Sequence, residues 1–238
     1  MVKPPTARST IPSVGRLGLV EPTAADELTE LDWANPESLE LLWALSRAAN
    51  ADLALRTLVR VKDRLGDDWA ELDAELRTDT ALRGRLFGLI GASSAFGDHI
   101  VADPVGWRLL AGEVSLPSRD ELTDELLASV KATPDGSASE TNLVYRAGVT
   151  GPAAIAALRK TYRDQLMVLA ASDLAATVEN EPVLPYQTVG RQLSDMADAA
   201  LTGALAVAVA EIYTDGPCPA RLAVIAMGKC GARELNYV

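Results

Sequence analysis

Gly228, Lys229 and Gly231 stand directly behind the apolar run Leu222-Ala223-Val224-Ile225-Ala226, an order that reads as strand, glycine-containing turn and short helix. That order suits phosphate binding. Glycines let backbone N–H groups approach an anion without obstruction by Cβ, a helix start nearby adds a favourable dipole, and Lys229 would add a compact positive charge. A P-loop fails on two counts: its first glycine would fall on Ala223, and the hydroxyl residue that must follow its lysine is replaced by Cys230. By spacing alone, plain turn chemistry is the commoner meaning of a glycine-containing loop behind a strand.

The other polar candidates carry less. Asp98, Asp103, Asp164, Asp173, Asp195 and Asp198 sit in helical patterns or at a helix start, where solvated faces and caps are the expected roles. Asp195 and Asp198 are three apart and share a face, but two carboxylates without a histidine or a third acid make a weak metal signal. Arg159, Lys160 and Arg163 read either as a solvated helix face or as cations for a phosphate or an acidic partner. Trp33, Trp43, Trp69 and Trp107 lie beside helically spaced aliphatics and are expected to anchor cores. Two cysteines, Cys218 and Cys230, and one histidine, His99, supply neither a disulfide framework nor a four-ligand zinc site, which fits a reducing cytoplasm. A formal net charge of −11 argues against a nucleic-acid partner.

The elements that must position these residues are mostly helices. Residues 1–22 mix Pro, Gly, Ser and Thr without a sustained period and read as a flexible tail, with no apolar stretch of the kind a secretory signal requires. A helical subdomain is expected over 23–131. Asn35-Pro36-Glu37 supplies an N-cap ahead of Leu39, Leu42 and Trp43; Leu55, Leu58 and Val59 share a stripe that Gly66 ends; Leu82, Leu86, Leu89 and Ile90 form another. Asp103-Pro104 repeats the cap signature, and Ser118 with Glu121 forms a capping box. Residues 132–150 are turn-rich and read as a linker. Two long helices follow within 151–215, one from Pro152 to about Asn180 along Ile155, Leu158, Tyr162, Leu166 and Leu169. The second carries Leu193, Ala197, Leu201, Leu205, Ala208 and Ile212 to about Tyr213. Its most apolar run, Asp198 to Glu211, is shorter than the ~20 residues of a membrane span, so no anchor is expected. Residues 216–238 open a different kind of structure, a single strand without partners from this chain, expected to be disordered, docked on the helices or paired with another copy, so that removal of the residues after Tyr213 leaves helicity and melting largely unchanged.

Met227 to Tyr237 resembles the Gly-Lys-Leu-Gly-x-x-Glu-Leu-Asn signature of the adenylyl-removing half of the bifunctional glutamine synthetase adenylyltransferase/adenylyl-removing enzymes. The resemblance extends upstream. Leu86 to Pro104 is similar to a family segment that closes on a proline, Leu158-Arg159 through Arg163, Leu166 and Asp173-Leu174 to its Leu-Arg-x-x-x-Arg-x-x-Leu helix, and Leu193 to Ala200 to its Leu-Ser-x-Leu-Ala-Asp helix. Cys230 departs from the usual Leu, a small change because a buried Cys behaves as a small hydrophobe. The resemblance implies a mainly α fold: an antiparallel helical domain followed by the first strand and turn of a polymerase beta-like nucleotidyltransferase α/β core. It implies nucleotide contacts from Gly228, Lys229, Gly231, Glu234 and Asn236, with Mg²⁺ and ATP or ADP as cofactors of the complete enzyme and none expected bound to this section. The family's Ser-Asp-x-Asp, the start of its metal-binding carboxylates, is expected beyond Val238, so the chain alone is expected to be inactive. Implied partners are glutamine synthetase, a PII-type regulatory protein and the remainder of the same enzyme. The alternative is a non-catalytic helical module that binds glutamine synthetase or a PII-type protein.

Overall fold

The computed structural model describes residues 11–136, 144–220 and 222–237. Residues 1–10 of the tail expected at 1–22, the middle of the expected linker, Arg221 and Val238 lie outside them. The described residues are mainly helical: α1 (Ala24–Glu30), α2 (Leu39–Leu45), α3 (Ala51–Leu65), α4 (Trp69–Thr78), α5 (Thr80–Ala92), α6 (Ser94–Ala102), α7 (Arg119–Ser129), α8 (Gly151–Leu174), α9 (Tyr186–Ile212) and the single turn α10 (Gly228–Gly231). One antiparallel ladder pairs β1 (Thr133–Pro134) with β2 (Tyr145–Arg146). The strand expected at Leu222–Ala226 does not form a ladder among the described residues. Without a neighbour to take its N–H and C=O groups, an apolar run makes no strand, and Leu222–Ala226 are exposed.

Contacts divide the chain into two units, Met1–Val114 with Ala170–Val183, and Ser115–Leu169 with Leu184–Val238. The 132–150 stretch falls inside the second.

In the first unit, α3 begins where the Asn50 side chain accepts from the Leu53 amide at 2.9 Å, buries Leu55, Leu58, Val61 and Leu65, and ends at Gly66, whose φ of 57° favours glycine. Helix α5 is buried on nearly every side, Leu82, Leu86, Phe87, Leu89 and Ile90 included. Gly84 and Gly88 let the chain at Leu174–Glu179 lie against it, since a Cβ on Gly88 would stand 2.9 Å from the Leu174 carbonyl oxygen. Arg83 fixes that crossing through Glu179 at 2.6 Å, and Arg47 adds bonds to Glu179 and to the Val178 carbonyl. Trp33 is fully buried, its ring tilted against Trp69 and Phe87 with centroids at 6.3 and 5.9 Å, and donates to Asp73 at 2.7 Å. Trp69 and Trp107 are buried as expected, whereas Trp43 is exposed under the Arg16 guanidinium, because α2 buries Leu41, Leu42 and Leu45 instead.

Two further expectations differ. Residues 11–22, taken as tail, carry buried Leu17 and Leu19, and the Asp52 carboxylate accepts from the Val20 and Glu21 amides at 3.0 and 3.1 Å. That anchor is 32 residues away from Val20, beyond any local pattern. Pro104–Leu110 is a 3-10 helix, and Asp103 makes no side-chain cap bond at its start.

The second unit is built on α7, α8 and α9. Ser118 and Glu121 form the expected capping box, and those bonds hold the Glu121 carboxyl below the usual glutamate range. Leu122, Leu126, Leu169, Val189, Leu193, Met196 and Ala199 form one core, with Leu158, Tyr162, Leu166 and Leu235 against it. Burial pushes the Tyr162 phenol up. A second cluster joins Leu127, Val130, Ala147, Ala154, Ala206 and Val207. The buried line of α9 runs through Val189, Leu193, Met196, Ala199, Gly203, Ala206 and Val209, so Leu201 and Ile212 of the expected seam face outward. Ile155 of α8 is exposed likewise. By length and composition α9 is apolar enough to cross a membrane, with mean hydropathy 1.4, and half of that stretch is buried within the protein.

Candidate functional site

The expected site is the turn after Met227. Met227 is extended, Gly228 takes φ 62°, α10 makes one turn, and Arg233 takes φ 60°. The amides of Ala232, Arg233 and Glu234 donate inside the turn to Gly228, Cys230 and Lys229 carbonyls, at 2.9, 3.2 and 2.8 Å. They are therefore committed to the turn's own shape. The first amides of α10, from Gly228 on, precede its internal bonds. A single turn carries little dipole, so the anion preference rests on Lys229 rather than on a helix start. Gly231 is required for packing: a Cβ would lie 2.5 Å from the Ala226 carbonyl oxygen.

Of the five residues expected to bind a nucleotide, the structure brings Lys229 and Asn236 together, with Nζ donating to Oδ1 at 3.4 Å. Gly228, Gly231 and Glu234 are exposed on the same turn. One ammonium, one amide and glycine backbone suit a phosphate oxygen rather than a metal ion, which would need converging carboxylates. Among the described residues no three His, Cys, Asp or Glu side chains converge in that way.

The acidic candidates are engaged elsewhere. Asp98 pairs with Arg60 and Asp164 with Lys160, each at 2.8 Å. Arg159 and Arg163 are exposed on α8. Asp195 and Asp198 share a face as expected, and that face meets the turn: Arg233 reaches Asp195 at 3.2 Å and Asp198 at 2.8 Å, while Arg119 reaches Asp198 at 3.0 Å. Neither Arg233 nor Gly190 was legible as part of the site. The signal available was charge complementarity between a loop arginine and an acidic pair, which no spacing connects across 35 residues. Both cysteines are free thiols, Cys218 buried and Cys230 half-buried beside Lys229.

The profile of the glutamate-ammonia ligase adenylyltransferase family matches residues 113–238, more than half of the chain. The chain belongs to that family. Among curated relatives, the bifunctional glutamine synthetase adenylyltransferase/adenylyl-removing enzyme of Nocardia farcinica is 64% identical over 238 residues, all of this chain and 24% of that protein. The enzyme of the same name from Mycolicibacterium smegmatis is 54% identical over 99% of the chain and 22% of its own length. That from Mycobacterium tuberculosis strain H37Rv is 50% identical over 98% of the chain and 22% of its own length. The chain thus spans about a quarter of the length of the curated relatives it matches. No solved structure matches. Within the glutamate-ammonia ligase adenylyltransferase family match lie all of α7 to α10 and the turn with its Lys229–Asn236 pair.

Proposed function

We propose that this chain is a section of the adenylyl-removing half of an enzyme that adenylylates and deadenylylates glutamine synthetase in the cytoplasm, and that the Gly228–Asn236 turn contacts the adenylyl phosphate. The observation that carries the reading is the exposed Lys229–Asn236 pair on a turn that resembles the family signature at every position but Cys230. In the removing reaction an oxygen of inorganic phosphate bonds to the adenylyl phosphorus as the bond to the tyrosine oxygen breaks. ADP leaves, and the phenolate takes up a proton. Divalent metal ions held by carboxylates outside these residues would activate the attacking oxygen and offset charge on the leaving phenolate. The carboxylates that would hold them are assigned to a polymerase beta-like core contributed by further sequence, so the isolated chain is inactive. Lys229 offsets charge on a non-bridging phosphate oxygen, and Asn236 steadies its ammonium. A PII-type protein and the remainder of the enzyme are the further partners in this reading.

The test mixes adenylylated glutamine synthetase, phosphate and Mg²⁺ with this chain or with a longer polypeptide extended through Ser-Asp-x-Asp, following AMP loss by mass spectrometry. Activity only in the longer polypeptide is expected, and Lys229→Ala within it should lower kcat by about 100-fold. Full activity of the 238-residue chain, or an indifferent Lys229→Ala, would overturn the assignment.

A further inference from the structure

Three restraints converge on three consecutive residues of the turn. The Arg233 guanidinium sits between Asp195 Oδ1 at 3.2 Å and Asp198 Oδ2 at 2.8 Å. The backbone at Glu234 passes over Gly190, where a Cβ would stand 3.2 Å from Glu234 Cα and 3.3 Å from the Arg233 and Leu235 carbonyl oxygens. Leu235 packs against the core of α7, α8 and α9. With Leu235 turned inward, its neighbours Glu234 and Asn236 are left exposed, and Asn236 meets Lys229.

Arg233 holds a left-handed backbone, which side chains with a Cβ adopt only where surroundings impose it. The imposing groups are the two carboxylates of α9. Both are largely buried, with side-chain exposures of 12% and 25%, and a buried carboxylate demands a cation. Arg119, the first residue of α7, also reaches Asp198, so two arginines and two aspartates close a neutral four-membered cluster joining α7, α9 and the turn.

We propose that Arg233, gripped by Asp195 and Asp198 and seated on Gly190, is a positioning residue that sets the turn so that Lys229 and Asn236 present one phosphate-binding pair. This rests on the reading of the turn as a phosphate contact. Arg233 touches no reacting atom. It acts by denying the turn other conformations, the kind of preorganisation in which a small displacement is costly.

Hydrogen exchange on the 238-residue chain tests the grip. Arg233→Lys keeps the charge and loses the planar fork that spans both carboxylates, and the double variant D195N/D198N loses the charges. Each is expected to speed exchange of the 232–236 amides by about tenfold or more while leaving the α3 amides unchanged. In the longer polypeptide, both are expected to lower kcat by about 100-fold with KM for inorganic phosphate changed less than about twofold, and Asp198→Glu is expected to retain most of the rate. Unchanged exchange in both variants overturns the grip. Faster exchange with an undiminished kcat, where Lys229→Ala does lower the rate, overturns the positioning role. If Lys229→Ala leaves the rate intact, the phosphate reading of the turn falls, and the exchange result alone decides whether the grip stands.

Discussion

At Gly88 the missing side chain faces the Leu174 carbonyl group, with oxygen at 2.9 Å and carbon at 3.1 Å from a built Cβ. Alanine gains helix propensity worth about 1 kcal/mol but meets backbone that cannot swing aside, an overpacking cost of about 1–3 kcal/mol. Gly88→Ala is therefore expected to destabilise the first unit by about 1 kcal/mol in urea unfolding, and a stabilised variant would show that the crossing is looser than described. Glycines of this kind divide by how far away their reason lies. The need for Gly231 is local, set by Ala226 five residues earlier, and belongs to a turn that the sequence already marks. Gly88 and Gly190 answer to backbone 86 and 44 residues along, at Leu174 and Glu234, where no periodicity connects cause and effect. The same distance hid Asp52 as the anchor of residues 20 and 21, and Arg233 as the partner of Asp195 and Asp198.

Helices were the most legible elements, because their start and stop signals act within a few residues. Asn35 caps as its spacing predicts, accepting from Glu37 and Ser38, and the Ser118–Glu121 box closes in both directions. The box carries a pH dependence. Its hydrogen bonds lower the Glu121 carboxyl in the folded protein, so the unfolded chain binds the proton more tightly. The stabilisation is full above the ordinary glutamate range and is lost as pH falls through the lowered folded value. Glu121→Ala should accordingly lower the melting temperature at pH 7 and make no difference in strong acid; an equal deficit at both would assign the effect to something other than the carboxylate. Faces were read less well than boundaries. Leu201 and Ile212 fit a helical stripe yet are exposed, because small residues such as Ala199, Gly203 and Ala206 form the contact line of α9 and stand out little in hydropathy. Asp103-Pro104 shows the opposite failure, a cap-like pair that starts a 3-10 run without a cap bond.

Taken whole, the chain has one division where its sequence shows no punctuation, since residues 170–183 return to the first unit from within a continuous α8. Composition marks exposed loops, whereas unit membership follows from contacts between distant segments. The same reasoning revises the expectation for residues after Tyr213. The Cys218 amide donates to buried Asp135 at 2.7 Å, Arg146 donates to the Gly216 carbonyl at 2.7 Å, Leu235 joins a core, and Arg233 neutralises Asp195. Removing 214–238 is thus expected to lower the second unit's melting by roughly 5–10 °C in calorimetry, through unpaired buried carboxylate above all. An unchanged transition would mean these contacts contribute nothing. The exposed arm ahead of the turn has another consequence, for the protein as a colloid. Leu222, Val224, Ile225 and Met227 are bare to solvent on a particle whose net charge is −11. In dilute buffer mutual repulsion keeps such particles dispersed, but near 1 M salt the screening length shrinks to about 3 Å and the greasy arms can meet. Light scattering should therefore rise with added NaCl, opposite to the behaviour of an assembly held by ion pairs, and Ile225→Lys should restore a clear solution.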